Sequence, residues 1–382
     1  MNPRPGGQPY ALAVSVRPED ASTTLFFGHL VDDMRGTLRV ARYRQPDLAG
    51  QLSGASAIIV VRALFELDSV IWFARLANVP LYYFVDDNFM LLRKQPGAWS
   101  AFVEPYSVRN VIERLRAFSG VLVSSPALLD YFADHRLHDR LMLFPPVGWS
   151  APLPRQSSND AACVGFFGGL HLHSVLEDYV LPAIRRVAVV QPLRFVVAGV
   201  SEPIATSPGL TIVHQPYDLS YSRGLRTLAA AGVDVLVHPS VPGLANNAHK
   251  NPHALISAHA IGAVPVVSAR PPYDDLPESG IALQCEDTID SWYLTLKRAL
   301  DPIERRAISD RLGSFCASHF DGGVNRQVIE SLVGHPVSRS AALVPARRMV
   351  AAICLGVDVV WRFARSAYRA RRKLRRLAGK TS

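Results

Sequence analysis

The chain has 382 residues, and its content of 49% hydrophobic and 19% charged residues is typical of a globular protein long enough for two domains. Its formal charge of +9 is local: residues 345–382 hold eleven Lys or Arg against one acid, which leaves residues 1–344 with a net charge of −1. This nearly neutral body gives no support to nucleic-acid binding, and four scattered cysteines without a CxxC pair indicate a reducing compartment.

The first half of the chain alternates apolar strand patterns with helix patterns. We predict strands at Tyr10–Val16, Ala57–Val61, Leu81–Val85, Gly120–Val123 and Leu141–Phe144, with helices at Leu67–Ala77 and Val108–Phe118. Short, nearly continuous apolar strands separated by helices are typical of a parallel sheet that is covered on both faces. Residues 151–160 (APLPRQSSND) interrupt this pattern with two Pro, two Ser and no periodicity, which predicts a linker.

The alternation resumes after the linker. We predict strands at Ala162–Phe167, Leu193–Ala198, Leu210–Val213, Val233–Val237, Val264–Val267 and Ile281–Leu283, with helices at Ser174–Val189, Ser220–Ala231, Pro252–Ile261, Ile289–Leu300 and Ile303–Ser318. We therefore expect an α/β protein with two Rossmann-like doubly wound domains, residues 1–150 and 161–335, that face a central cleft, and a basic helical tail over residues 345–382. In such sheets ligands bind outside the carboxyl ends of the strands.

A glycine pair follows the first predicted strand of the second domain. Gly168 and Gly169 precede a helix for which Ser174 is a suitable N-cap. Glycines at such a turn let backbone N–H groups approach a phosphate, and the helix dipole adds to the attraction. The pair lacks the full GxGxxG pattern, so a tight turn without a ligand is the alternative. His173 is a candidate phosphate or sugar donor, or an exposed turn residue.

Residues 246–268 (NNAHKNPHALISAHAIGAVPVVS) concentrate polar and basic residues just before a predicted helix. Asn251 suits its N-cap, Pro252 its first position and Gly262 its C′ position. Lys250 then lies outside the positive end of this helix, and a cation beside a helix N-terminus suits a diphosphate. The alternative for Lys250 is a solvated loop lysine.

Charged residues also follow two strands of the first domain. Arg62 ends one strand and Asp86 with Asp87 ends the next, which places all three at the cleft edge of a parallel sheet. Adjacent carboxylates can orient acceptor hydroxyls or hold a base. The alternatives are an Asp pair that caps the next segment and an ion pair between Arg62 and one of these carboxylates. Residues 91–102 (LLRKQPGAWSAF) are a candidate acceptor loop.

Several segments together resemble GT-B glycosyltransferases, in particular glycosyltransferase family 4. In the second half these are VGFFGGLHLHSVLEDYVLPAI, VDVLVHPS, NNAHKNPHALISAHAIGAVPVVS and PYDDLPESGIAL; in the first half they are AIIVVRALFELDSVIWFARLANVPLYYFVDDNFM and RLRAFSGVLVSSPALLDYF. The family pattern has a Gly-rich turn followed by His, then D-x-x-L-x-P, then N-x-x-K-x-P-x-K-x-x-E-Y-x-x-x-G-x-P-V-V. The resemblance runs in the same order over roughly residues 10–330.

This resemblance implies transfer of a sugar from a nucleotide-sugar donor on the second domain to an acceptor, usually a glycan, on the first. Lys250 and Asn246 would face the donor diphosphate or sugar, with Asn247 beside them. Gly168 and Gly169 would abut the phosphates, and His173 would lie close by. No cofactor or metal is expected, because the lysine and the helix dipole neutralise the leaving diphosphate in place of Mg²⁺. Family 4 enzymes retain the anomeric configuration.

The chain departs from the family at three positions. The family Glu that typically holds the ribose hydroxyls is Ser257 here, and the first Glu of the same Glu-x7-Glu pair is His249. The second family Lys or Arg is His253. Two alternatives to a transferase therefore stay open: a catalytically silent glycosyltransferase-like subunit that binds a partner or lipid, and a nucleotide-sugar epimerase of related fold.

Residues 347–376 predict a helix with an apolar first half and a strongly basic second half. Such a helix can lie in a membrane interface, with Trp361 and Phe363 buried and the Arg residues on anionic headgroups. A solvated basic tail is the alternative. Because the N-terminus lacks the features of a signal peptide, we expect a cytosolic protein, peripheral at the inner membrane face, that acts on a glycan or lipid-linked acceptor.

Overall fold

The first domain contains a parallel sheet of six strands. The computed structural model describes residues 8–94, 107–155, 161–169, 172–199, 204–216, 218–276, 280–334 and 344–359. The strands of this domain are β1 (Ala11–Ser15), β2 (Leu38–Arg42), β3 (Ala57–Val61), β4 (Leu81–Val85), β5 (Gly120–Val123) and β6 (Leu141–Leu143). They lie in the order β2-β1-β3-β4-β5-β6, and every pairing is parallel.

Helices and turns connect these strands. They are α1 (Ala21–Thr23), which continues through a π-helical turn (Thr24–Gly28) into α2 (His29–Asp33), then α3 (Leu48–Gly54), α4 (Asp68–Leu76), α5 (Phe89–Leu92), α6 (Val108–Leu115) and α7 (Pro126–Asp134). Serine side chains cap two of these helices, because the Ser107 hydroxyl accepts from Asn110 N and that of Ser125 from Leu128 N. The predicted acceptor loop lies outside the described residues beyond residue 94.

The second domain repeats this architecture with another parallel sheet. Its strands are β7 (Ala162–Phe167), β8 (Leu193–Ala198), β9 (Leu210–Gln215), β10 (Val235–His238), β11 (Val264–Ser268) and β12 (Leu283–Cys285), in the order β12-β11-β10-β7-β8-β9. Its helices are α8 (His173–Val175), joined by a π-helical turn (Leu176–Val180) to α9 (Leu181–Val190), α10 (Tyr221–Ala230), a 3-10 segment (Ala245–His249), α11 (His253–Ile261), α12 (Ile289–Leu300), α13 (Pro302–His319) and α14 (Gly323–Val333). The predicted fold class, two doubly wound α/β domains, is confirmed.

Burial explains why most strands could be predicted from the sequence. Every residue of β3 (AIIVV) and of β4 (LYYFV) is buried, as expected for strands that helices cover on both faces. The sequence reading missed β2 (LRVAR), an edge strand whose burial alternates and whose arginines interrupt the apolar pattern. It also missed the helices α1 to α3, α5, α7 and α14.

Two predicted helix caps are wrong. The N-cap of α11 is Pro252, which has no side-chain cap bond, whereas the Asn251 side chain donates to Ser124 O at 2.9 Å in the first domain. Likewise α8 begins at His173 with Leu172 as its N-cap, so Ser174 caps nothing. The C-terminal prediction for α11 is confirmed, because Gly262 adopts the left-handed conformation (φ 67°) in which glycine is favoured.

The segment between the domains is hydrogen-bonded to residues of the second domain. Gly148 N donates to Phe320 O at 2.8 Å, and Leu153 N donates to Ala260 O at 2.7 Å. Arg155 contacts Gly262 O, Gly232 O and the carboxylate of Asp234, which fastens the start of the predicted linker to the second domain. Residues 156–160 of that linker lie outside the described residues.

The chain returns to the first domain after the second sheet. In α14 the Asn325 side chain donates to Pro145 O at 2.8 Å. A further helix, α15, spans residues 344–359 and packs Ala351 and Cys354 into the apolar core on the outer side of the first sheet. Its Asp358 is 5% exposed and accepts a 2.5 Å hydrogen bond from the Tyr43 hydroxyl. The apolar part of the predicted tail thus covers the first domain.

We expect Tyr43→Phe to loosen α15. The substitution removes the buried hydrogen bond that Asp358 accepts from the Tyr43 hydroxyl, which costs about 1–3 kcal/mol, although the 3.7 Å ion pair of Asp358 with Arg44 stays. The buried thiol of Cys354 faces the same core and reports the detachment. Mass spectrometry after thiol labelling in the native state should show faster modification of Cys354, whereas Cys316 keeps its wild-type rate.

Tyr10→Phe is the matched control for this experiment. It removes a phenol hydrogen bond of 2.6 Å to Gln51 O in the same domain, but not one to α15. Labelling of Cys354 should therefore stay at the wild-type rate in this variant. Equal labelling rates in Tyr43→Phe and the wild type would contradict the role assigned to the Tyr43–Asp358 bond.

Candidate active site

The strand order of each sheet defines where a ligand crevice can form. The order in which the chain adds strands reverses between β1 and β3 in the first sheet, and between β7 and β10 in the second. Loops that leave the two strands at such a switch point diverge to opposite faces, which opens a crevice at their carboxyl ends. Arg62 follows β3, and Asp86 and Asp87 follow β4, so the predicted cleft residues of the first domain lie at this edge.

Arg62 is held from several sides. Its Nε lies 2.9 Å from Asp86 Oδ1, its Nη2 lies 2.6 Å from Asp87 Oδ2, and its Nη1 donates to Ser22 Oγ at 2.7 Å. The backbone of Arg62 has φ +60°, a left-handed conformation that costs a non-glycine residue about 1–3 kcal/mol. The Tyr83 hydroxyl donates to Arg62 O at 3.0 Å. These contacts together hold a strained residue that aims a guanidinium at two carboxylates.

Asp87 is where the two domains meet. Its Oδ1 lies 3.3 Å from Lys250 Nζ and accepts a 2.9 Å hydrogen bond from Asn246 Nδ2, both from the second domain. The other end of the Asn246 amide accepts a 2.6 Å bond from Asn88 N, and Asn246 is fully buried. The structure therefore brings together five predicted site residues, and we call four of them, Arg62, Asp86, Asp87 and Lys250, the charge cluster.

A second set of contacts between the domains lies beside the charge cluster. The Ser125 hydroxyl donates to His249 O at 2.6 Å, and the Asn251 side chain donates to Ser124 O. A ring nitrogen of His249 lies 3.1 Å from Ala127 O. The segment from residue 245 to residue 251 is thus seated on the carboxyl ends of β4 and β5, where it closes the crevice.

The pKa values of the charge cluster follow from burial and from its charges. Burial raises the pKa of Asp86, and the neighbouring charge of Asp87 adds to this against the opposing effect of Arg62. Burial alone would also raise the pKa of Asp87, but Lys250, Arg62 and the Asn246 amide together hold it well below the ordinary value. The two carboxyl groups are therefore unequal: Asp87 is the fixed anion, and Asp86 is the one that protonates more readily.

Three other residues that were predicted for the donor site, Gly168, Gly169 and His173, make their contacts away from the charge cluster. A Cβ on Gly168 would come within 2.7 Å of Leu172 Cδ1 and Phe166 Cζ, so close packing of these side chains favours glycine there without any ligand. Gly169 O accepts from Leu172 N at 3.0 Å. His173 Nε2 lies 3.5 Å from Glu177 Oε1. Among the described residues, no hydrogen bond or ion pair joins Gly168, Gly169 or His173 to the charge cluster.

Ser257 and Asn247 are engaged within the second domain. Ser257 is 4% exposed, its hydroxyl lies 2.6 Å from the Tyr221 hydroxyl, and it donates to His253 O at 3.0 Å. Asn247 Nδ2 donates to Val241 O at 3.3 Å and braces the loop that carries Asn246. The position that carries a ribose-binding Glu in family 4 therefore holds a neutral, buried hydroxyl pair.

Sequence reasoning missed three groups of this site. Ser22 is a partner of Arg62, and Ser124 with Ser125 contacts the second domain. The sequence does contain a signal for Ser124 and Ser125. They directly follow the apolar strand β5, just as Asp86 follows β4, which predicts a position at the same edge of the sheet. In the part of the chain that the structure describes, no group of three or more His, Cys, Asp or Glu side chains is placed to hold a metal ion.

Many solved structures resemble this one, among them the following three. The glycosyltransferase from Rickettsia africae ESF-5 has 8% identity and a TM-score of 0.52 over 87% of this chain and 100% of its own. HepE of Anabaena, solved with UDP-glucose, has 14% identity and a TM-score of 0.53 over 85% and 99%. WaaG, a glycosyltransferase involved in lipopolysaccharide biosynthesis, has 11% identity and a TM-score of 0.51 over 85% and 100%.

These likenesses show the fold, which is GT-B: two Rossmann-like domains with their strand ends facing a cleft. No protein-family model matches the chain, and no curated protein matches it in sequence. The resemblance inferred from the motifs is therefore confirmed at the level of the fold.

We expect Arg62→Met to be strongly destabilising, because it leaves two buried carboxylates with Lys250 as their remaining contacting cation. Breaking such a pair costs about 3–5 kcal/mol. Urea unfolding measures the loss. Arg109→Met is the control: its contact with Glu113 (2.8 Å) is exposed, so we expect the stability to stay close to that of the wild type. A loss for Arg62→Met as small as for Arg109→Met would refute the structural role of the charge cluster.

Proposed function

We propose that the protein is a glycosyltransferase that moves a sugar from a nucleotide-sugar donor, bound on the second domain, to a hydroxyl group of an acceptor held by the first. One observation carries this proposal: in a GT-B fold, Arg62 and Lys250 converge from the two domains on one point at the carboxyl ends of the strands. Lys250 in this half-buried crevice is a cation that suits the diphosphate of such a donor, and Arg62 balances the charge of the carboxylates beside it.

The proposed chemistry uses charge stabilisation at the leaving group. As the bond between the sugar and the diphosphate breaks, negative charge grows on the phosphate oxygens. Lys250 and the positive end of the nine-residue helix α11 are placed to stabilise it, which supports a reaction without a metal ion. Asp86, which follows β4 of the first domain and has a raised pKa, would accept a hydrogen bond from the attacking hydroxyl. Retention of the anomeric configuration follows from the family resemblance alone.

A specific observation also favours a second candidate, a catalytically silent glycosyltransferase-like subunit. Neither acidic position of the family carries an acid here, and both replacements have partners: the Ser257 hydroxyl bonds to Tyr221 and His253, and the His249 ring contacts the first domain. A ribose would lose its bidentate carboxylate contact. Donor binding distinguishes the two candidates, because a silent subunit need not bind a nucleotide sugar.

We further propose a glycan or lipid-linked acceptor and a peripheral position on an anionic membrane. Met349, Ile353 and Val357 recur every four residues of α15, opposite its packed face, and are exposed by 63%, 57% and 41%. The basic segment follows directly along the chain, and apolar and cationic residues together suit a membrane interface. No helix among the described residues is long and apolar enough to cross a membrane.

Donor binding is the direct test of the transferase. A screen of nucleotide sugars should reveal at least one that raises the melting temperature of the wild-type protein. Lys250→Ala should abolish this shift and the release of free nucleoside diphosphate, because it removes the cation at the leaving group. Lys297→Ala, at an exposed position of α12, is the matched control and should leave both unchanged. A wild-type protein that binds no nucleotide sugar at millimolar concentration rules the transferase out.

Membrane binding is tested with a truncation that removes none of the described residues. Removing residues 360–382 keeps Asp358 and the packed face of α15 but deletes nine of the eleven basic residues of the tail. Sedimentation with vesicles that contain phosphatidylserine should fall strongly for the truncated protein, and vesicles of phosphatidylcholine alone should bind neither form. Equal sedimentation of both forms with anionic vesicles would refute the membrane role of the tail.

A further inference from the structure

We propose that Asp87 competes for Lys250 with the anion that the donor site binds. In the empty protein its carboxylate contacts both Lys250 and Arg62 and so holds the domains together. An incoming diphosphate must then displace Asp87 from Lys250 and Asn246. The inference rests on the proposed function for the identity of the anion, but the contact between the domains is independent of it.

The two oxygens of Asp87 divide their contacts between the domains. Oδ2 faces Arg62 of the first domain at 2.6 Å, whereas Oδ1 faces Lys250 and Asn246 of the second at 3.3 and 2.9 Å. The side chain of Asp87 is 12% exposed, and that of Lys250 is 28% exposed. A phosphate oxygen is the same kind of acceptor as a carboxylate oxygen, so the two donors of the second domain that now hold Asp87 Oδ1 are the ones a diphosphate would use.

Electrostatics makes the two anions exclude each other. A carboxylate and a diphosphate within one poorly solvated site repel, and the attraction that Lys250 offers is divided between them. When Lys250 and Asn246 transfer to a diphosphate, Asp87 keeps the contact with Arg62, so no carboxylate of the cluster is left without a cation. Exchange of the anion is therefore favoured over joint occupancy.

The other contacts across the crevice are easier to break. The bonds from Ser125 to His249 O and from Asn251 to Ser124 O join neutral groups, and water can replace them at small net cost. The Asp87–Lys250 contact involves two charges and is the strongest of this set. Asp87 therefore acts as a latch: displacing it frees the segment from residue 245 to residue 251 to leave the first domain.

Hydrogen exchange tests the latch without any ligand. Asp87→Asn should raise the exchange of backbone amides in residues 245–251 and of Asn88 N, which donates to the Asn246 side chain, by about tenfold. Lys250→Met, which removes the other half of the pair, should have the same effect. Asp86→Asn is the matched control, because Asp86 contacts Arg62 and Ser22 of its own domain; it should leave residues 245–251 at the wild-type rate. Unchanged exchange in Asp87→Asn and Lys250→Met overturns the proposal.

Pyrophosphate is the probe for the competition itself. Asp87→Asn should bind it about tenfold more tightly than the wild type, since the competing charge is gone, whereas Lys250→Met should bind it more weakly. In the double variant the gain from Asp87→Asn should largely disappear, because the cation for which both anions compete is absent. A merely structural role for Asp87 predicts the opposite, weaker binding by Asp87→Asn, and that result, or no binding by any form, overturns the proposal. A tighter pyrophosphate complex without any nucleotide-sugar binding would support the latch and rule out the transferase.

Discussion

Charge balance at one point of the crevice is the constraint on which the arrangement of the domains depends. Arg62 faces two carboxylates, so the first domain alone places one positive and two negative charges in contact where burial makes imbalance costly. Lys250 of the second domain supplies the missing positive charge. The two domains are therefore joined by electrostatics as well as by apolar contact, and a change in either charge is transmitted to the other domain.

Apolar packing holds the domains at a different place from the charge cluster. One continuous core contains Phe27 and Phe84 of the first domain and Leu225 and Leu255 of the second. Beside this core, Trp149 of the connecting segment contacts the rings of residues from both domains, at centroid distances of 4.1 Å to His29 and 6.0 Å to Tyr221. Motion between the domains is thus constrained near the connection and depends on breakable polar contacts at the strand ends.

The sequence predicts the parts of this protein that depend on local burial. Strands β3, β4, β5, β7 and β8 have the predicted boundaries, because each is a nearly continuous apolar run between polar residues. The positions of Arg62, Asp86 and Asp87 at the crevice follow from the same boundaries. The contact of Asp87 with Lys250 does not, because it depends on how two separate sheets pack. The wrong cap at Asn251 has the same cause, since its amide bonds to the other domain instead of its own helix.

Ser257 and His249 differ from the acidic residues of the family 4 pattern, and their contacts show what surrounds these two positions. Family 4 enzymes carry acids on the segment that holds the lysine, whereas here Ser257 and His249 stand at those positions. A carboxylate at Ser257 would lie in a buried site against the phenol of Tyr221, whose own pKa burial already raises. Among the described contacts, the carboxylate that reaches Lys250 comes from the first domain instead. The counter-ion of Lys250 therefore lies across the crevice, in the first domain, so the charge around this lysine depends on whether the domains are in contact.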